Sequence, residues 1–369
     1  MKQQSTKIGV REYVSIAVLM VGTKATEDTP AHLYSQVQNA AWMIPIISAG
    51  FFFIPLYLLI KTMSLYEGKD LFSVIKKIFG KYLGFLVCLV IFIINSFAVS
   101  FDTRTYTNII RSFYFTTTPT LIIYAILMFI CAYGAKKGLQ HIGSVSYLIV
   151  FYAVLSLYLA LWLGTKHANI NSMFPLWGPG AFVLMKEGAQ KVTIFADFFL
   201  LTMILPYLTS NKAFKKGTWF SYIYICIQIS MSILIFVCMF DESLGGTAYP
   251  FHTLIRFISL GQYIPNVEII FFIIWIMAAF IRFTAFLYIN ALMFGNLFKI
   301  KDFEYLIPSL ATIYLMVGSI PEAPINVSLQ FKPIILNTAG PMFTGISILL
   351  WIVALIKGEF KHAKNKNTI

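Results

Sequence analysis

Leu83–Phe101 reads LGFLVCLVIFIINSFAVSF, and Tyr222–Met239 reads YIYICIQISMSILIFVCM; neither run holds a charged residue. A helix crossing a bilayer needs about 20 predominantly apolar residues. A helix on the surface of a soluble domain instead shows a polar face every turn or so. Both runs therefore read as transmembrane helices. Working outward from them, long apolar runs place spans near 10–30, 38–60, 83–106, 119–135, 144–164, 187–208, 218–240, 265–296, 304–321 and 337–356. The whole chain agrees with this reading. Of its 369 residues 59% are hydrophobic and 12% charged, about half the charge of an ordinary soluble domain. The expected fold is an all-α polytopic membrane protein of about ten transmembrane helices, one permease-like domain over 1–369 with a basic tail at 358–369.

A net charge of +13 would suggest nucleic acid in a soluble protein. No basic run here is interleaved with exposed aromatics, so nucleic acid is not an expected partner. Lys and Arg instead divide by side of the membrane. With ten spans, 19 fall on the side of the termini and 8 on the other, with Arg282 inside a span. The excess of positive charge on cytoplasmic loops then places both termini in the cytoplasm. The four cysteines lie in apolar stretches without metal or redox spacing, and read as small buried apolar residues. The first apolar run, Tyr13–Gly22, ends without a small-residue cleavage site, so no cleavable signal is expected.

Ionisable groups inside a membrane are costly and need a partner, a cavity or a function. Only about ten clean apolar residues precede Val21-Gly22-Thr23-Lys24-Ala25-Thr26-Glu27-Asp28, so the chain meets charge near mid-membrane. Either the first helix is discontinuous, its freed backbone groups binding a ligand, or it starts near Ile8 with Arg11 snorkelling and Lys24 already outside. In the sixth span Gln190, Thr193 and Asp197 align on one face. Asp197 reads as a proton-coupling group, a ligand contact or a structural acceptor. No Gly or Pro inside that span marks a break. Arg282 in the eighth span cannot be neutralised, and Asp197 is its expected partner by depth. Such a pair is either structural or opened by a competing ligand carboxylate. The third span adds Asn95, Ser96, Ser100, Asp102 and Thr103. Ser96, Ser100 and Thr103 form a stripe that reads as helix packing or as a cavity wall. No nucleophile–base pair, metal cluster or phosphate loop is visible, so no enzyme, cofactor or ATP-driven pump is expected.

Several stretches together resemble one family. They are Gly22-Thr23 closing a short first span, Asn39-Ala40-Ala41-Trp42 opening the second, and Phe174-Pro175-Leu176-Trp177-Gly178 after the fifth. Phe195-Ala196-Asp197-Phe198 through Pro206-Tyr207-Leu208 follows, then Tyr249-Pro250, Arg256-Phe257-Ile258 and Glu268 through Trp275-Ile276 to Tyr288. In order and spacing they resemble the GerAB-type endospore germination permeases, the B subunits of germinant receptors, within the amino acid–polyamine–organocation (APC) superfamily. The resemblance runs from about residue 8 to 357. It implies two inverted five-helix repeats (LeuT/APC-like) with a ligand site between spans one, three, six and eight. On that layout the candidate ligand-binding residues are Val21, Gly22 and Thr23 of the first span, and Ser96 and Ser100 of the third. Phe195, Ala196, Asp197 and Phe198 of the sixth and Arg282 of the eighth complete the set. The resemblance further implies a receptor in the inner membrane of the spore, assembled with an A-type membrane subunit and a C-type lipoprotein subunit. That receptor binds a small nutrient, an amino acid or a sugar, and triggers germination. Two places depart from the family pattern: the charged run Lys24–Asp28, and Asp197 where Glu is more usual.

The leading expectation is a nutrient receptor subunit, here for an amino acid; the alternative is a proton- or cation-coupled amino-acid permease. The division of Lys and Arg makes topology testable. Single cysteines placed near Lys215 are expected to escape a membrane-impermeant thiol reagent added from outside, while those near Lys166 react. The reverse pattern overturns the orientation.

Overall fold

The computed structural model describes residues 7–258 and 267–361. The first expected span is a short helix, α1 (Val10–Gly22), tightening into one 3-10 turn at Thr23–Thr26. The backbone leaves helical geometry at Glu27 (φ −104°, ψ −147°). It resumes as α2 (Thr29–Val37), whose first turn holds Pro30, where a missing N–H leaves no intrahelical bond unmade. A 3-10 segment, Gln38–Met43, leads into α3 (Ile44–Met63). The short α4 (Leu71–Phe79) buries one face, and Asp70 caps it by accepting from the Ser73 amide at 2.9 Å. Three long helices follow: α5 (Lys81–Phe113), α6 (Thr120–Lys136) and α7 (Leu139–Gly164).

The sixth expected span is interrupted. It runs as α8 (Ala181–Gln190), a 3-10 turn at Lys191–Ile194, α9 (Asp197–Leu201) and a 3-10 segment at Thr202–Tyr207. The remaining helices are α10 (Asn211–Phe240), α11 (Pro250–Phe257), α12 (Val267–Phe298), α13 (Ile307–Gly318), α14 (Pro324–Asn326) and α15 (Lys332–Ile356). A π turn at Val327–Phe331 joins the last two. Residues 265 and 266 of the expected eighth span, and the tail from 362 onward, lie outside the described residues.

Among the described residues seven helical stretches are long and apolar enough to cross a membrane, and Thr120–Lys136 and Phe303–Gly318 are shorter apolar helices. Among the described residues the only extended pairing is a bridge between Ile8 and Leu208. It ties the entry to α1 to the exit of the interrupted sixth span, through Ile8 N–H to the Tyr207 carbonyl at 2.8 Å. Helix α1 sits in the interior: Tyr13 and Ser15–Gly22 are buried, and α7, α10 and α12 surround it. The outer surface is the reverse of a soluble protein's. Ile54, Leu86, Ile126, Phe129, Leu148 and Phe151 are exposed on it, far more apolar surface than a soluble monomer shows. Backbone polar groups are meanwhile satisfied within helices, as a lipid environment requires. The molecule is a polytopic all-α membrane protein.

Three differences from the sequence reading bear on function. Helix α5 continues to Phe113 rather than ending near 106, so Asp102 lies well inside it. Helix α15 begins at Lys332 rather than near 337, because Pro333 suits a first helical turn and Asn337-Thr338 does not interrupt one. The sixth span holds Gly188 and Pro206, yet its break at 191–196 contains neither residue type, and neighbouring segments hydrogen-bond at and just before it. Ser48 donates to the Gly188 carbonyl at 2.8 Å, and Thr193 Oγ1 donates to the Leu336 carbonyl at 2.5 Å.

The last contact needs a close approach of α15. A Cβ on Gly340 would collide with Thr193 Oγ1 and its backbone, whereas one on Gly345, further along the same helix, would meet nothing within 4 Å. Overpacking of this kind costs about 1–3 kcal/mol. Gly340→Ala is therefore expected to lower the melting temperature of the purified protein, and Gly345→Ala to leave it unchanged or slightly raised. Equal melting temperatures for the two variants count against this packing.

Candidate functional site

A helix that stops inside a bundle leaves carbonyls without intrahelical partners. At the sixth-span break the Ile194 carbonyl is one of these, while the Thr193 carbonyl accepts from the Ala196 amide at 3.2 Å, and a further partner for both comes from the first-span break. Lys24 Nζ donates to the Ile194 carbonyl at 2.9 Å and the Thr193 carbonyl at 3.2 Å, and lies 2.6 Å from Asp197 Oδ2. The break in one span is thus held by a cation from the break in the other. The Lys24 turn is itself held by Trp275 of α12, whose Nε1 donates to Thr26 Oγ1 at 3.0 Å, and Trp275 stacks on Tyr106 of α5.

Arg282 of α12 is 2% exposed. Its Nε and Nη2 donate to Asp102 Oδ2 at 3.1 and 2.5 Å. Its Nη1 donates to the Met20 carbonyl at 2.6 Å and to Thr23 Oγ1 at 2.9 Å. The expected Arg282–Asp197 pair is not formed. Asp102 takes the guanidinium because the extension of α5 carries that carboxylate into the bundle, and Asp197 is engaged by Lys24. Lys332, at the start of α15, completes the network. Its Nζ lies 2.5 Å from Asp28 Oδ1, 3.5 Å from Glu27 Oε2 and 3.8 Å from Asp102 Oδ1. Opposite charges so close in a low-dielectric interior attract strongly, which offsets part of the cost of removing them from water.

These groups border a cavity of about 560 Å³. Its wall carries the cations Lys24, Lys191, Arg282 and Lys332 and the acids Glu27, Asp28, Asp102 and Asp197, with His32 beside them. The rest is largely apolar, including Val99, Phe101, Ile194, Leu336 and Phe343. Such a space, apolar with a few placed polar groups, suits a small organic ligand.

The structure brings together some of the residues named from sequence and separates others. Ala196, Asp197 and Arg282 line the cavity. Thr23 touches it only through Arg282, and with Gly22 borders a separate space of about 40 Å³ beside Gln228. Val21 is buried in the core. Ser96 pairs with Tyr314 Oη at 3.0 Å and Ser100 donates to the Ser96 carbonyl; the same helix offers Asn95, Val99 and Asp102 to the cavity instead. Phe195 and Phe198 pack on Tyr222. Glu27, Asp28 and Asp102 read from sequence as polar groups within the first and third spans but not as candidate ligand residues, and Lys191 and Lys332 were not singled out. The last two are charges at the edge of an apolar run, where a loop is the ordinary reading.

Two interrupted helices meeting at a charged cavity within a helical membrane bundle are the architecture of a secondary transporter. A solved structure bears this out for the fold. The crystal structure of the Eremococcus coleocola manganese transporter, in complex with an aromatic bis-isothiourea substituted compound, aligns over 93% of this chain and 77% of its own, with TM-score 0.50 and 10% identity. The family is shown by sequence. Residues 11–327 match the spore germination protein family of permeases, and the chain belongs to that family. Spore germination protein A2 of Bacillus subtilis (strain 168) is 25% identical over 303 residues, covering 79% of this chain and 80% of its own length. Spore germination protein KB of the same organism is 20% identical over 305 residues, 81% of each.

Removing one partner of a buried ion pair typically costs about 3–5 kcal/mol. Asp102→Asn and Arg282→Gln are each expected to destabilise the purified protein by about this much, with the double variant losing less than the sum of both. Asp197→Asn combined with Arg282→Gln is expected to show a smaller coupling, since the two share a cavity wall but no hydrogen bond. Additivity in the first pair, or stronger coupling in the second than in the first, contradicts the pairing described.

Proposed function

We propose that this chain is the integral-membrane subunit of a spore nutrient-germinant receptor, which takes a small nutrient into the central cavity and thereby triggers germination. Family membership supports the receptor class. The observation that carries the reading is the Lys332 centre, where one ammonium joins acids from the first-span break and α5 to the start of α15. A ligand that competes for any member alters how three segments are held together, and so converts occupancy into movement. On this reading the chain makes ten crossings as two inverted repeats, with both termini in the cytoplasm and the bundle in the inner membrane of the spore. A-type and C-type subunits complete the receptor.

The test uses spores whose own copy is deleted and complemented. The unaltered chain is expected to restore germination with at least one nutrient of a panel of amino acids, sugars and small amine-free carboxylates. Arg282→Gln is expected to lower that response about tenfold or more at matched protein level. The chain is also expected to co-purify with A-type and C-type subunits. Membrane vesicles holding the chain are expected to show no gradient-driven accumulation of the same labelled nutrients. Saturable, gradient-driven uptake would make the chain a proton- or cation-coupled amino-acid permease instead.

A further inference from the structure

The Lys24 contact does more than steady a broken helix. Three oxygens converge on Nζ: the Ile194 and Thr193 carbonyls at 2.9 and 3.2 Å, and Asp197 Oδ2 at 2.6 Å. Two are main-chain carbonyls, of which the Thr193 oxygen also accepts from the Ala196 amide, and the third is a carboxylate held by charge rather than by a hydrogen bond. An ammonium carries N–H donors and no acceptor, so two carbonyls beside a carboxylate make a receptor for R–NH3+. The cage opens on the cavity, whose wall includes Lys24, Ile194 and Asp197. An amine entering the cavity would find there a set of acceptors suited to its charge, already taken by a side chain tethered from the other break.

The rest of the wall points the same way. Arg282 and Lys332 have carboxylate partners within 4 Å, whereas Lys191 has none among the described residues; its Nζ lies 3.3 Å from His32 Nε2. The cation left open to a ligand is therefore a partner for an anion. We propose that Lys24 is a built-in ammonium that fills the cationic subsite of this cavity, so that the nutrient it takes is a small carboxylate with an apolar body and no ammonium of its own. This rests on the cavity being the nutrient site, as proposed above, and narrows the nutrient class. It assigns Lys24 a specificity role: it rejects free amines by occupying their place.

The cage is testable without knowing the nutrient. The full-length chain, purified in detergent, is melted with methylammonium chloride or with tetramethylammonium chloride at the same ionic strength; the second cation has no N–H to donate. Lys24→Ala vacates the cage. Methylammonium is expected to raise its melting temperature by about 3 °C or more over tetramethylammonium. The unaltered chain is expected not to respond, and Lys24→Ala with Asp197→Asn to lose most of the gain. If Lys24→Ala folds only when membranes are prepared with methylammonium, the rescue is the same result in stronger form. Failure of Lys24→Ala to respond or to be rescued overturns the proposal, as does an equal response by the unaltered chain. In a second arm the unaltered chain is melted with phenylalanine and with 3-phenylpropionate, and with leucine and 4-methylpentanoate. Greater stabilisation by either amino acid than by its desamino counterpart overturns the nutrient class. The spore response is a separate readout, so the receptor reading and the cage can fail independently.

Discussion

Arg282 imposes the constraint around which the bundle is organised. A guanidinium cannot shed its charge inside a protein, and this one sits in the interior of a membrane helix with 2% exposure. Its donors must find acceptors from segments close enough to surround it. They are the Asp102 carboxylate on α5, the Met20 carbonyl near the end of α1, and the Thr23 hydroxyl in the turn that follows. Those contacts place α5, α12 and the first-span break at one depth, and the cavity is the space beside them.

The two breaks support each other because each supplies what the other lacks. The first interruption leaves a short charged stretch, Lys24–Asp28, with no place in hydrocarbon. The second leaves carbonyls and a carboxylate in need of a cation. Lys24 answers the second, and Lys332 from α15 answers the acids of the first. Neither irregular segment would be tolerable against lipid; both are tolerable because they meet within protein, where Lys24 joins them directly.

Much of the fold was legible in the sequence because its signal is local. A run such as Leu83–Phe101 declares its environment without reference to any other segment, and the order of short motifs pointed to the family that residues 11–327 match. The site was legible only in part. Asp197 and Arg282 stood out because each is a charge surrounded by apolar neighbours in sequence. Asp102 could be placed within the third span but given no partner, and Lys332 did not stand out, since each lies where an apolar run gives way to polar residues. Whether such a residue is loop or interior depends on how far the helix continues, which packing decides. Pairing was the least accessible property. Depth along separate helices suggested Asp197 for Arg282, while rotation about those helices gave it Asp102. The sixth-span break lacked a Gly or Pro because its cause lies in Ser48, Lys24 and Leu336, all distant in sequence.

The cavity wall has four Lys and Arg side chains and four Asp and Glu side chains, with His32 beside them. Moving one elementary charge through the membrane field changes the energy by about 2.3 kcal/mol per 100 mV. With acids and bases interleaved around one cavity, these energies cancel for any shift in which the paired segments travel together. Only a movement that parts a base from its acid along the membrane normal would feel the potential.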